Sequence, residues 1–191
     1  GYEGNAQALR ILRKLEKKFS YCNGLNLTHR SLLSVVKYPA PRTATTAGKF
    51  IYDDDFDFYT NLLAENQLDL NPGEKTIDAQ IMDLADEIAY AAHDLEDALS
   101  RNMVTIEDIE YEFQISDEFR GAREQFREIV TQSRNTAFQA NLLKTSEEFA
   151  IIFRKELTSN IVNRLVADIS VVTNLNGFQE LGFGKLNALS E

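Results

Sequence analysis

From Glu74 to Asn176 the chain carries no proline and a single glycine, Gly121. So long a stretch with almost no turn formers cannot fold as a meander of short strands, and long helices are the simplest solution. The three prolines, Pro39, Pro41 and Pro72, all precede it. Two helix starts are marked inside it. Thr105-Ile106-Glu107-Asp108 and Thr145-Ser146-Glu147-Glu148 each set a hydroxyl three residues before a carboxylate, the pattern of a capping box. The pattern predicts an all-α fold, with helices near 5–20, 28–37, 55–66, 76–100, 105–112, 117–133, 134–157 and 160–173. The stretch from Pro39 to Asp55 is the one long irregular segment, with room for a short hairpin or a lid.

Composition narrows the function classes. A length of 191 residues suits one large domain or two small ones. With 43% hydrophobic and 26% charged residues, the chain has the balance of a packed protein rather than a disordered one. Thirty acidic against 20 basic residues give a formal charge of −10, which argues against broad DNA binding but permits local basic pockets. One cysteine, Cys22, excludes an internal disulfide framework and a cysteine-rich zinc site, and it fits a reducing compartment. No apolar run approaches the roughly 18 residues of a membrane span, and no signal-peptide pattern opens the sequence. A cytoplasmic protein without a membrane partner is expected. Gly1 is not a methionine, and Leu186-Asn187-Ala188-Leu189 could continue as a helix, so a longer parent protein is expected as well.

The predicted helix 76–100 has the sharpest pattern. Ile77, Ile81, Leu84, Ile88, Ala91, Leu95 and Ala98 alternate steps of four and three to form one apolar stripe. Asp86, Tyr90 and Asp94 form a second stripe on nearly the opposite side, about 12 Å long at 1.5 Å per residue. Asp83 and Asp97 lie close to it. Residues 76–100 contain no lysine or arginine. A solvated face is one reading of this stripe. Clustered acids repel one another unless something balances them, so a bound metal or a partner surface is the other.

At this helix a resemblance becomes specific. Ala79-Gln80-Ile81-Met82-Asp83-Leu84-Ala85-Asp86-Glu87-Ile88-Ala89-Tyr90, followed by His93-Asp94-Leu95-Glu96-Asp97, resembles a signature of bacterial deoxyguanosine triphosphate triphosphohydrolases. These belong to the HD-domain metal phosphohydrolase superfamily. Tyr2-Glu3-Gly4-Asn5-Ala6-Gln7-Ala8-Leu9-Arg10-Ile11-Leu12 resembles the block after the family's His-Asp motif. Gly24-Leu25-Asn26-Leu27-Thr28, continuing to Lys37-Tyr38-Pro39, resembles its next helix. The three blocks keep the family's order across most of the first hundred residues. Beyond Thr105 the likeness is weaker, a helical associated segment ending in Glu180-Leu181-Gly182-Phe183.

The resemblance implies an activity and a set of roles. The family hydrolyses a deoxynucleoside triphosphate to deoxynucleoside and whole triphosphate, using a divalent metal such as magnesium or manganese. The metal polarises a phosphoryl oxygen and activates the attacking water. Asp86 matches the last metal-binding aspartate of an HD site, and a carboxylate suits a hard cation. Tyr90 matches a tyrosine that packs on the deoxyribose, and Asp94 an aspartate that hydrogen-bonds the 3′-hydroxyl. Lys37 and Tyr38 match a pair that contacts substrate phosphate or sugar. For Lys37 a helix-terminal lysine complementing the helix dipole is an equal reading. Asn5, Gln7 and Arg10 are expected to position the neighbouring helix. Relatives are oligomers, so a homo-oligomer is expected.

Other residues carry plainer readings. His93-Asp94 spells the superfamily's dipeptide but follows Asp86, and adjacent helical residues point about 100° apart. His93 and His29 therefore read as ordinary histidines. Asp53-Asp54-Asp55 with Asp57 reads as a solvated turn. Phe50, Tyr52, Phe56, Phe58 and Tyr59 could line a pocket or an interface. Arg120, Arg123, Arg127, Arg134 and Arg154 read as a salt-bridged surface.

One of four expected metal ligands is present, and no catalytic residue of the family falls within this chain. The division expected is 1–104 as the C-terminal part of an HD-type catalytic domain and 105–191 as the associated segment. The alternative from another class is a non-catalytic helical module for nucleotide sensing or assembly.

Overall fold

The structure, a computed structural model, describes residues 2–43, 48–71, 73–140, 143–173 and 179–184. Among them are seven α-helices and one two-stranded hairpin, so the predicted all-α character holds with one addition. The chain divides into two compact units, residues 1–85 and 86–191.

The first unit starts with α1 (Gly4–Arg10), capped by Glu3, whose buried carboxylate accepts the Ala6 N–H at 2.7 Å. The helix expected to reach residue 20 instead passes into one π-helical turn, Ile11–Leu15, and stops. A returning segment explains this. Leu25 N–H donates to the Leu12 carbonyl at 2.9 Å, and Gly24 lies against the same turn with φ +66. A Cβ on Gly24 would sit 2.3 Å from that carbonyl oxygen, an approach only glycine tolerates.

Thr28 caps α2 (His29–Ser34), which is shorter than the predicted 28–37. After α2, Ile51 N–H donates to Ala40 O at 2.8 Å; residues 44–47 of the expected hairpin or lid lie outside the described set. Next comes α3 (Asp53–Glu65). Leu9, Leu32, Leu33, Val36, Ile51, Tyr59 and Leu62 form the core of this unit.

Two expectations are corrected here. The Asp53–Asp55 run is not a solvated turn but the first turn of α3, where carboxylates favour the helix dipole. Asp55 has no exposed surface and is held by Arg10 and Arg13. Of the nearby aromatics, Phe50, Tyr52 and Tyr59 are core residues, and Phe56 and Phe58 pack on the same core.

Helix α4 (Ile77–Ser100) begins in the first unit and continues into the second. Its predicted apolar stripe is only partly the buried face. Ile88 is buried, but Ile77 and Ile81 are about half exposed, and Ala79 is buried in their stead. On these turns Asp78 pairs with Arg30, and Asp83 with Lys37 and Lys75.

In the second unit, α5 (Ile106–Ile115) and α7 (Ser146–Asp168) start at the two predicted capping boxes. Thr105 pairs with Asp108 and Thr145 with Glu148, each through reciprocal side chain-to-backbone bonds. Between them a 3-10 turn, Arg120–Ala122, leads into α6 (Arg123–Phe138). The predicted helices 134–157 and 160–173 are not separate elements. The Thr145 cap fixes the true start, and α7 runs unbroken past residue 160. Ile106, Phe126, Ile129, Val130 and Leu157 make this unit's core.

The end of the expected last helix is a strand. Ile169–Thr173 (β1) pairs antiparallel with Gln179–Phe183 (β2), in a register placing Ile169 opposite Phe183 and Thr173 opposite Gln179. Ile169, Val171, Val172 and Thr173 are β-branched, which favours the extended chain. Glu180 to Phe183, expected to close a helical segment, lie in β2. No described helix is long and apolar enough to cross a membrane.

Candidate functional site

In the first unit, Lys37 and Tyr38 follow α2 in a tight turn, with Lys37 N–H donating to Val35 O at 3.1 Å and Ala40 N–H to Tyr38 O at 2.9 Å. The two expected substrate residues are thus held together by backbone geometry. Tyr38 collects more than Lys37. The ammonium of Lys49 lies 4.9 Å from its ring centroid, that of Lys75 5.8 Å, and that of Lys37 5.9 Å. All three are within the roughly 6 Å at which a ring face attracts a cation.

Two carboxylates serve these lysines. Asp83 contacts Lys37 at 2.6 Å through Oδ1, an ion pair, and Lys75 through Oδ2. Glu3 lies 3.6 Å from Lys49. Burial works against the charge on Asp83, but Lys37 and Lys75 outweigh it and hold its carboxyl below the ordinary value. For Glu3, burial is likewise outweighed, by the Ala6 N–H, the Asn5 amide and Lys49.

The counter-ions of α4 were not visible as a local pattern. Its lack of internal lysine and arginine is made good by Lys37, Lys75 and, for Asp78, a two-pronged contact with Arg30 at 2.7 Å on each oxygen. Lys37 and Arg30 come from other segments, so no spacing on the helix could reveal them, whereas Lys75 stands just before its first turn. Lys49 and Lys75 were missed as neighbours of Tyr38 because both lie in other segments from it. Asn5 and Arg10, expected with Gln7 to position a neighbouring helix, bond to Glu3 at 2.9 Å and to Asp55 of α3 at 3.1 Å, respectively.

In the second unit, Asp86, Tyr90 and Asp94 lie along one face of α4, and all three are exposed; Tyr90 keeps 65% of its surface accessible. His93 is exposed as well, on the neighbouring face. His29 lies in the first turn of α2, with Nδ1 3.4 Å from the Asn66 amide. Among the described residues no three His, Cys, Asp or Glu side chains converge as a metal site. The arginines of the second unit are largely surface ion pairs: Arg120 with Asp117 at 2.8 Å, Arg127 with Glu110 and Glu124 at 3.5 Å, Arg134 with Glu107 at 3.8 Å. An apolar groove of about 550 Å³, lined by Leu95, Ile109, Phe113, Phe126, Ile129 and Ile161 among others, includes none of the site residues.

Comparison with known proteins decides the family. The chain is 49% identical over 179 residues, 94% of its length, to deoxyguanosinetriphosphate triphosphohydrolase-like protein 2 of Vibrio cholerae. By sequence it belongs with the deoxyguanosinetriphosphate triphosphohydrolase-like proteins. Like-named protein 1 of the same organism is 32% identical over 90% of the chain, and a triphosphohydrolase-like protein of Haemophilus influenzae is 40% identical over 54%. No protein-family model matches the chain. The chain spans under half the length of these relatives, covering 44%, 45% and 31% of them.

Proposed function

We propose that the full-length protein hydrolyses deoxynucleoside triphosphates to deoxynucleoside and inorganic triphosphate. The observation that carries this is the 49% identity, over nearly the whole chain, to a protein named for that activity. In this reading Lys37 and Tyr38 hold substrate phosphate, a role supported by the three lysine ammonium groups gathered at the Tyr38 ring. Tyr90 packs against the deoxyribose and leaves no room for a 2′-hydroxyl. Asp94, one turn on, accepts a hydrogen bond from the 3′-hydroxyl.

Asp86 contributes one carboxylate to a divalent metal, magnesium or manganese. One carboxylate is not a metal site, because affinity comes from several ligands acting together. The described residues do not fit the metal by themselves; the other ligands would have to come from chain beyond these 191 residues. Residues 1–104 are the C-terminal part of the catalytic domain in this proposal, and 105–191 an associated segment. A homo-oligomer in the cytoplasm completes it, and the exposed Ile77, Ile81 and Met82 on α4 support an apolar contact.

The test is product analysis with the full-length protein. Inorganic triphosphate and free deoxynucleoside, formed in equal amounts, are the expected products. Release of orthophosphate or pyrophosphate would overturn the reading. No turnover of any deoxynucleotide would favour a sensing or assembly module.

A further inference from the structure

Asp83 joins the Tyr38 cluster to α4. Its side chain is 15% exposed, and its two oxygens are divided between two lysines, Lys37 after α2 and Lys75 just before α4. Both ammonium groups also lie over the Tyr38 ring, at 5.9 and 5.8 Å. Two like charges on one ring repel unless an anion sits between them, and Asp83 is that anion. Lys49 differs. It is 57% exposed and turns to Glu3 instead.

The arrangement costs the fold something. Lysine is long and rich in rotamers, so fixing two of them at a common point spends entropy that surface ion pairs rarely return. It becomes useful if the lysines must already be together when a polyanion arrives, because ordering done in advance is not charged against binding. Asp83 takes only one of the three donors of the Lys75 ammonium.

We propose that Lys75 joins Lys37 in holding the phosphate chain of the substrate, and that Asp83 is the positioning residue that keeps the two ammonium groups together beside Tyr38. The inference rests on the phosphate role proposed above for Lys37 and Tyr38. It adds a second lysine and explains why an acidic residue stands in a phosphate-binding patch.

The sign of one substitution separates positioning from simple charge. Inorganic triphosphate is titrated calorimetrically into the full-length protein, without metal and at low ionic strength. The unaltered protein binds it, and Lys37→Gln and Lys75→Gln each weaken binding by about tenfold, the loss of one charge-assisted contact. Asp83→Asn removes a negative charge, which on Coulomb grounds alone strengthens anion binding. Positioning gives the opposite sign, so Asp83→Asn weakens binding. Equal or tighter binding by Asp83→Asn, no effect of Lys75→Gln, or no binding by the unaltered protein overturns the proposal.

A measurement that needs no folded variant covers loss of structure. Lysine side-chain nitrogen spectra of the unaltered protein should show Lys37 and Lys75 moving together as triphosphate is added, and a silent Lys75 overturns the assignment. These shifts without deoxynucleotide hydrolysis by the full-length protein would sink the hydrolase reading but leave the lysines assigned. Hydrolysis with a silent Lys75 would do the reverse.

Discussion

The guanidinium of Arg10 lies 3.1 Å, through Nε, from Oδ2 of Asp55, a carboxylate with no exposed surface. Arg13 holds the other oxygen, and both arginines lie over rings, Arg10 on Tyr52 at 4.0 Å and Arg13 on Phe58 at 3.9 Å. Asp55 therefore ties α1 and the π-helical turn after it to α3 through charged contacts with Arg10, Arg13 and Lys14. Removing one partner of a buried pair leaves the others uncompensated, at about 3–5 kcal/mol for fully buried partners. Both arginines keep some water contact, which reduces this. Asp55→Ala is expected to destabilise the chain by about 2–3 kcal/mol in urea unfolding. A loss under about 0.5 kcal/mol, the size of an ordinary surface change, would contradict the structural role.

Acid should loosen the first unit only once pH falls below the ordinary carboxylate range. Asp83 and Glu3 both hold their carboxyls below the ordinary carboxylate values. A carboxylate with a lowered folded pKa contributes stability that is complete above its unfolded pKa and lost as pH falls through the folded one. Melting temperature should therefore be flat near neutrality and fall below about pH 4.5, continuing to drop below 3.8. Asp83→Asn should flatten part of that slope. An unchanged acid profile in the variant would show that the lysine pairs contribute nothing to it.

Tyr90 is expected to set sugar preference in the full-length protein. Its ring is accessible on α4, one turn from Asp86 and one from Asp94. Tyr90→Ala should raise kcat/KM for ribonucleotides relative to deoxynucleotides by about tenfold or more, the scale of a lost steric contact. Competition assays with paired substrates measure this. Selectivity unchanged by the substitution removes the sugar-wall role.

Asp86 and His93 should part company in metal analysis of the full-length protein. Asp86→Ala is expected to lose bound metal and activity together, because a carboxylate ligand is removed. His93→Ala should keep both, since His93 is exposed on a neighbouring face of α4. Retained metal in Asp86→Ala with loss in His93→Ala would exchange their roles.

Much of the molecule was legible in the sequence because it depends on near neighbours. The Thr105 and Thr145 caps need only a hydroxyl and a carboxylate three residues apart, and both form as read. The long helix α4 follows from periodicity and the absence of breakers, and with it the common face of Asp86, Tyr90 and Asp94. Two of the misread elements failed for a local reason. The Thr145 cap already contradicted a helix spanning 134–157, and the β-branched run at Ile169–Thr173 argued for extended chain.

The tertiary structure alone decided where charges meet. Arg10 and Asp55, Arg30 and Asp78, and Lys37, Lys75 and Asp83 are brought together by the path of the chain. A carboxylate looks the same in sequence whether it faces water or two lysines. Its surroundings are fixed by which distant segment packs beside it, and no spacing along one helix carries that information. The sequence thus determined the helices and their exposed face. Packing determined which acids are balanced, and that the balancing lysines gather at Tyr38.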